Sequence, residues 1–544
     1  MALLDPVDMT RARRDTFVDD RLPPPERMPE FRFDLPELRY PERMNAAVEL
    51  LDRAVADGDG DRVAVRNDAG AWTYAGMKDL SDRIARVLVE EEGLAPGGRV
   101  LLRGPNTATM FAAWFAVLKA GGVAVATMPM LRAGEIGVIL ERARVGHAIV
   151  DARCGEDFAP AAAASADLRS VMTYDGDRGA GELERRAAAA APGFHAVDTG
   201  RDDPALIAFT SGTTGKPKGC VHLHRDVLIP ADAFARHVLR PKPGDVHAGS
   251  PPIAFTFGLG GLLIFPFRFR GTAVTVEQPT PAALLDAVER HGVTTLYTAP
   301  TAYKAMLPQL GGRDLSSLRT CVSAGEHLPE ATWRAWAEAT GLKIVDGIGA
   351  TEMMHIFISA SGDDIRPGAT GKPVPGYTAC VLDDEGRAMP RGTGRLAVKG
   401  PTGCRYHDDA RQQLYVRDGW NVTGDTYHID ADGYFHFVAR SDDMIVSSGY
   451  NIAGPEVENA LLSHPAVAEC AVVGQPCPER GKLVKAFVMP APGHQPGDAL
   501  ARQLQDHAKA VIAPYKYPRA VEFVDALPRT ATGKIQRFAL RSPA

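Results

Sequence analysis

From Phe209 to Gly219 the chain reads Phe-Thr-Ser-Gly-Thr-Thr-Gly-Lys-Pro-Lys-Gly, which gathers four hydroxyls (Thr210, Ser211, Thr213, Thr214), three glycines and two lysines. These residue types suit a phosphate group. Gly212, Gly215 and Gly219 let the backbone turn and approach a ligand, while hydroxyls and ammonium groups offer donors and positive charge. The common nucleotide loop requires a glycine upstream of its Gly-Lys pair and a Ser or Thr directly after it. Thr210 and Pro217 occupy those positions here, so a phosphate wrapped at a helix start is not expected. A flexible surface turn is the plainer reading, and Lys216 and Lys218 remain equal candidates for the charge donor.

Four further stretches carry chemistry. Asp346-Gly347-Ile348-Gly349-Ala350-Thr351-Glu352 exposes backbone at a strand end and sets a hydroxyl beside a carboxylate. A carboxylate near phosphate repels it unless it holds a divalent cation; a structural turn is the alternative. Trp420-Asn421-Val422-Thr423-Gly424-Asp425 presents an aspartate, with Arg440 downstream. An aspartate suits paired ribose hydroxyls, and equally an Asx-turn. Val446 to Ile452 reads alone as a loop, and Lys534 lies in Pro528-Arg529-Thr530-Ala531-Thr532-Gly533-Lys534-Ile535, where most lysines are simply solvated.

These segments need a scaffold. From about residue 80 the pattern alternates: helix to Val89, strand at 100–102, helix at 108–118, and strands at 123–125 and 148–150. It resumes after the opening loop with helices near 281–291 and 301–307 and strands near 294–298, 319–323 and 343–346. Such alternation reads as helix-covered parallel sheets, which bind ligands at strand ends. The opening loop itself reads as lying between an apolar strand end, Leu206 to Phe209, and a helical pattern. The alanine tracts at 161–164 and 187–191 read as a solvated helix or loose loop. Beyond about 375, short strands and turns predict a β-rich subdomain. A compact unit of about 100 residues follows, with helices at 455–462 and 498–511 and strands at 466–474, 484–489 and 520–524. Residues 1–45 read as an extended arm.

The chain has 544 residues, more than one hydrophobic core accommodates. Its 45% hydrophobic and 24% charged content and net charge of −6 describe ordinary globular material and argue against general nucleic-acid binding. Seven scattered cysteines without Cys-x-x-Cys or zinc spacing fit a reduced compartment. Met1 to Arg14 mixes acids and arginines and does not read as a secretory signal. The most apolar segment, Thr107 to Met130, is broken by Lys119 and Gly121-Gly122 and reads as helix, turn and strand. A cytoplasmic location without membrane attachment is expected.

Taken in order, the five motifs resemble the adenylate-forming superfamily of acyl-CoA synthetases, adenylation domains and luciferases over roughly residues 45 to 540. The resemblance implies an α/β fold: a large N-terminal domain (1–438) of helix-covered sheets plus a small β subdomain, a hinge (439–443) turning on Asp442, and a small mobile α+β C-terminal domain (444–544). It implies ATP, Mg2+ and coenzyme A, and an acyl-adenylate followed by a thioester. ATP then lies against Thr210, Ser211, Gly212, Thr213, Thr214, Gly215, Lys218, Asp346, Gly347, Ile348, Thr351, Glu352, Asp425, Phe437 and Arg440. Glu352 takes the metal. Lys534, Glu352 and Thr210 act in catalysis, and Ser448, Gly449 and Tyr450 line the CoA path.

Within that superfamily, Ile348 where many members carry an aromatic, Ser323-Ala324-Gly325-Glu326, and the run from Asp346 to Phe357 look like the benzoate-type aryl-CoA ligases. Ala254, Phe255, Ser323, Ala324, Gly325, Gly347, Gly349, Met354 and His355 then line a flat slot for a small aromatic acid. His355 read alone would be a structural histidine. The arm and the run from Arg440 to Glu458 resemble the 2-aminobenzoate-CoA ligases most. A carrier protein as acceptor, or nucleotide binding without turnover, are the rival readings, and the protein is expected to be a monomer or homodimer.

Overall fold

The computed structural model describes residues 15–210, 217–440, 444–447, 450–477, 481–512, 516–529 and 535–541. A six-stranded sheet runs in the order Ser170–Tyr174, His147–Asp151, Arg99–Arg103, Val123–Thr127, Pro204–Thr210 and Lys218–Leu223. Its neighbours are parallel except for the last pair. A nine-stranded sheet has the order Lys372–Pro373, Ile356–Ser359, Ile344–Gly349, Thr320–Ser323, Thr295–Thr298, Val246–Gly249, Thr272–Val274, Val63–Asn67 and Gly70–Thr73. Its interior is parallel from Ile344–Gly349 to Val63–Asn67, so the strand ends bearing Gly249, Thr298, Ser323 and Asp346 face the same way. An antiparallel sheet built on Thr378–Leu382, Gly392–Lys399, Trp420–Ile429 and Phe435–Arg440 supplies the predicted β subdomain. Together these sheets make the large N-terminal domain.

The small C-terminal domain has its own core. Helix Asp498–Val511 buries Leu500, Leu504 and Ala508, one stripe at helical spacing, and these pack with Val472 and Val484 of strands Val467–Cys477 and Gly481–Pro490. The helix Gly454–Leu462 adds Val457 and Leu461. Polar contacts between described residues of this domain and the large one include Lys304 Nζ donating to the Ala468 carbonyl at 2.5 Å and Asn459 meeting His327 at 3.4 Å.

One expectation changes. The opening loop does not lead into a helix: strand Lys218–Leu223 comes first, with Cys220, Val221 and Leu223 buried, and helix His224–Pro230 starts only where Asp226 accepts from the Leu223 N–H. The alternation of small and apolar residues there favours a sheet edge over a helix. The alanine tracts fall in helices Gly155–Ala164 and Glu182–Ala189. In the arm, Phe17 is wedged beside the guanidinium groups of Arg21, Arg99 and Arg144 and the His407 ring.

The Thr107 to Met130 segment is a core element. Thr107 caps helix Ala108–Lys119 by accepting from the Met110 N–H at 3.0 Å, and every residue of that helix is buried. Among the described residues no helix is long and apolar enough to cross a membrane. The helix ends on Lys119, whose fully buried ammonium meets Asp52 and Asp82 at 2.6 Å each, while Asp82 also pairs with Lys78 at 2.5 Å. Removing one partner from a buried ion cluster strands the remaining charges. Lys119→Met is therefore expected to lower unfolding free energy by about 3–5 kcal/mol in urea titrations, and a loss below ~1 kcal/mol would show the cluster to be solvated.

Candidate active site

The edge strand Lys218–Leu223 of the six-stranded sheet and its neighbour Pro204–Thr210 carry the opening loop between them. Thr210 pairs with Lys218 and Phe209 with Gly219 across the antiparallel ladder. Gly219 is required: a Cβ there would meet Ile207 at 2.9 Å and the Phe209 ring at 3.2 Å. The Thr210 hydroxyl is buried and meets no partner among the described residues. Residues 211–216, which include Ser211, Gly212, Thr213, Thr214, Gly215 and Lys216, lie outside the described residues.

Glu352 lies in the short turn Thr351–Met353 that follows strand Ile344–Gly349, and it is only 7% exposed. Tyr406 donates its phenolic proton to Glu352 Oε1 and accepts from Lys218 Nζ at 2.6 Å. Lys218 Nζ itself stays 3.7 Å from that carboxylate oxygen. Burial and the neighbouring Glu352 charge push the Tyr406 hydroxyl far above its usual range, so it remains a donor. The turn is tied to strand Lys218–Leu223 by His222, whose Nε2 lies 2.7 Å from the Thr351 carbonyl and donates to it. Two buried thiols lie beneath. Burial alone would raise Cys220, but Cys404 and His222 beside it draw it down to about 6, while Cys404 is raised.

Asp346, the last residue of its strand to pair with strand Thr320–Ser323, lines a cleft with His327, Trp333 and Thr370. Its Oδ1 is buried without a partner, and burial pushes the carboxyl up to about 8, against which one backbone N–H acts only weakly. Asp346 is thus protonated at neutral pH. Asp425 faces Arg440 across a two-strand ladder, with Nη1 to Oδ1 at 3.1 Å, and Phe437 stacks on His327 at 5.2 Å. His327 borders the cleft that Asp346 lines, and Ser323 pairs with Asp346 in the neighbouring strand.

His355 lies behind them in an aromatic cage. Its ring centroid is 5.3 Å from that of Phe234, 5.7 Å from Phe257 and 4.8 Å from Phe265. Burial drives it down to about 3, so it is neutral; the Phe257 backbone favours the charged form slightly, but neither ring nitrogen has a partner of good hydrogen-bond geometry. Gly260 makes the cage possible, because a Cβ there would fall 2.4 Å from His355 Cδ2. Ser323, Ala324 and Met354 are buried nearby in sequence, the Ser323 hydroxyl unpartnered and Met354 at φ 66°. Gly347 and Gly349 back onto Ile356 and His355 so closely that a side chain would collide, and Gly325 has φ 91°. Ala254 and Phe255 precede helix Thr256–Leu259 and are half-buried.

Tyr406, His222, Cys220, Cys404 and the cage rings Phe234, Phe257 and Phe265 are absent from the sequence-based site. Of these only Phe257 had a signal, being two residues from Phe255. Lys534, Asp442, Ser448 and Gly449 lie outside the described residues, and Tyr450 is described only as backbone in strand Tyr450–Ile452. Ile348 is packed against the main core cluster. Among the described residues no group of three or more His, Cys, Asp and Glu side chains is placed to hold a metal. Glu352 as a lone carboxylate nevertheless fits the way magnesium is bound, through one or two carboxylates with substrate phosphates completing the shell.

Comparison with known proteins agrees with this layout. The AMP-binding enzyme family model matches residues 52–405, and that of the AMP-binding enzyme C-terminal domain matches 456–534. The benzoate–CoA ligase of Thauera aromatica is 38% identical over 93% of this chain and 97% of its own. A crystal structure of an anthranilate CoA ligase in complex with anthranoyl-AMP superposes with a TM-score of 0.88 at 35% identity, covering 93% of this chain and 98% of that one. A benzoate CoA ligase from Burkholderia xenovorans LB400 gives 0.85 at 33% identity, over 92% and 100%. With matches of this extent to both halves, the chain belongs to the AMP-binding enzyme family.

Proposed function

We propose that this enzyme is an ATP-dependent aryl-CoA ligase acting on 2-aminobenzoate or a closely related benzoate. The observation that carries the reading is the neutral, aromatic-caged His355 behind strand ends that bear Asp346 and Glu352. An apolar slot with one uncharged polar group suits a planar ring, and the charged cluster beside it suits phosphates. The likeness to enzymes named for benzoate and anthranilate supports the same class.

The reaction has two steps. The acid's carboxylate attacks the α-phosphorus of ATP and pyrophosphate leaves; the CoA thiol then adds to the acyl carbonyl, loses its proton, and AMP leaves. Glu352 and the substrate phosphates would hold magnesium, which when bound offsets charge on the leaving pyrophosphate. Lys218 and the Thr210 to Gly215 hydroxyls and amides bind that group. Asp425 and Arg440 hold the ribose, Phe437 and Ile348 cover the adenine, and protonated Asp346 offers the base a donor and an acceptor together. Lys534 neutralises the two anions meeting at phosphorus. On this reading residues 1–438 bind ATP and acid, 439–443 form the hinge at Asp442, and 444–544 rotate to open the CoA path at Ser448, Gly449 and Tyr450.

Thioester formation across substituted benzoates, phenylacetates and aliphatic acids tests the substrate class. CoA thioesters of 2-aminobenzoate and benzoate should form at least about 100-fold faster (kcat/KM) than those of aliphatic acids, a discrimination within reach of a shaped pocket; equal rates refute it. Lys534→Ala is expected to slow adenylate formation by roughly 100-fold or more, the scale for losing one preorganised electrostatic group. Thioester formation from supplied acyl-adenylate should be nearly unchanged, and equal loss in both half-reactions would remove the assigned role.

Asp346 makes a pH prediction. A carboxyl raised on folding stabilises fully below its unfolded value, and that contribution is lost as pH rises toward the folded value of about 8. Asp346→Asn, which keeps a donor and an acceptor, should gain on the parent in urea unfolding between about pH 4 and pH 8 and keep a constant margin above. Parallel stability curves would show the carboxyl to be ionised in the fold.

A further inference from the structure

The contacts around Glu352 contain an unusual choice. An ammonium and a carboxylate buried side by side normally pair directly, since a charge-assisted N–H···O contact closes to about 2.7–2.9 Å. Lys218 Nζ instead stops 3.7 Å from Glu352 Oε1, and the space is bridged by the Tyr406 hydroxyl, which accepts from the lysine at 2.6 Å and donates to the carboxylate. The ammonium lies 4.6 Å from the Tyr406 ring centroid, beyond the hydroxyl end of the ring.

Tyr406 is rigidly placed for this. It is 1% exposed and packs edge-on against Tyr415 at 5.8 Å. Its backbone N–H donates to Gln412 at 2.9 Å, and its residue bridges Cys220 in the middle of strand Lys218–Leu223. The flanking bonds Val221 N–H to Arg405 O and His407 N–H to Gly219 O, each 2.8 Å, fix the register. The Tyr406 backbone is therefore locked in register with the strand that carries Lys218, and burial against Tyr415 holds its ring.

We propose that Tyr406 is a positioning residue that keeps Lys218 from pairing with Glu352, so that the carboxylate remains available to the divalent cation accompanying ATP. This rests on the reading of Glu352 as the metal-binding carboxylate. Without the phenol, Lys218 closes onto Glu352 and competes with the cation for the same oxygen. An ammonium paired directly with the carboxylate offsets its charge and so weakens its hold on a cation, and the lysine, tethered beside it, has the higher effective concentration.

The readout is the ratio of ATP dissociation constants measured by titration calorimetry in EDTA and in Mn2+, which isolates the metal's contribution to binding. In Tyr406→Phe, which keeps the ring and its packing, the ratio should fall about ten-fold, the scale for altering a hydrogen bond to a charged group. In the double variant Tyr406→Phe/Lys218→Met it should recover to within about three-fold of the parent, because the competitor is gone. An unchanged ratio in the single variant overturns the proposal; so does a double variant as impaired as the single, which marks a general structural defect. Neither measurement involves an aromatic acid, so failure of the aryl-CoA ligase reading, seen as absence of any aryl thioester, is told apart from failure of this one.

Discussion

A carboxylate buried to 7% must be compensated, and the way Glu352 is compensated organises the large domain's ligand face. Its partners come from two other places in the chain: Tyr406 from the connection between strands Gly392–Lys399 and Trp420–Ile429 of the β subdomain and Lys218 from the edge of the six-stranded sheet. For these to meet the turn Thr351–Met353, the edge strand Lys218–Leu223 has to lie against that turn, and the contact of His222 with the Thr351 carbonyl holds it there. The antiparallel reversal after Thr210 follows from the same need. A parallel neighbour would require a crossover helix and would carry Lys218 away from the strand ends at which Asp346 and Ser323 converge.

The polar groups are divided by charge. On one side Lys218 and Glu352 are bridged by the Tyr406 hydroxyl, and Asp425 pairs with Arg440. Behind the strand ends, burial leaves Asp346 and His355 uncharged, drawn to about 8 and about 3 in opposite directions by the same cause. A neutral acid and a neutral imidazole can each give and accept a hydrogen bond without bringing a counterion into an apolar space. Phe234, Phe257 and Phe265 enclose the His355 ring at one end, while the ionised side chains gather at the other.

Much of this was legible in the chain. Parallel sheets repeat with a period that apolar runs reveal, so the strands at 99–103, 123–127, 147–151, 295–298 and 320–323 and the helices between them were readable from local pattern alone. The edge strand Lys218–Leu223 was not, because its first residues are the glycine and lysine of the loop and its sheet identity is fixed by partners. Tyr406 was invisible for a stronger reason. Its two contacts span 188 and 54 positions, and the run Cys404-Arg405-Tyr406-His407 has no spacing that distinguishes it from any buried strand end. The cage around His355 is similar: one ring, Phe257, stands near the aromatic named from sequence, whereas Phe234 comes from a helix more than a hundred residues away.

The thiols beneath Tyr406 follow from the same constraint. Cys220 and Cys404 occupy the space under a phenol, an imidazole and a carboxylate, where a larger apolar side chain would displace Tyr406 and a hydroxyl would compete for Glu352 or the Thr351 carbonyl. A thiol is small, packs like a hydrophobe and donates weakly. The Cys404 thiol meets Gln412 Oε1 at 3.3 Å, and that side chain in turn accepts from the Tyr406 N–H and donates to the Cys404 carbonyl. The Cys404 thiol thus spends its weak donor on Gln412, and the Tyr406 hydroxyl remains the donor committed to Glu352.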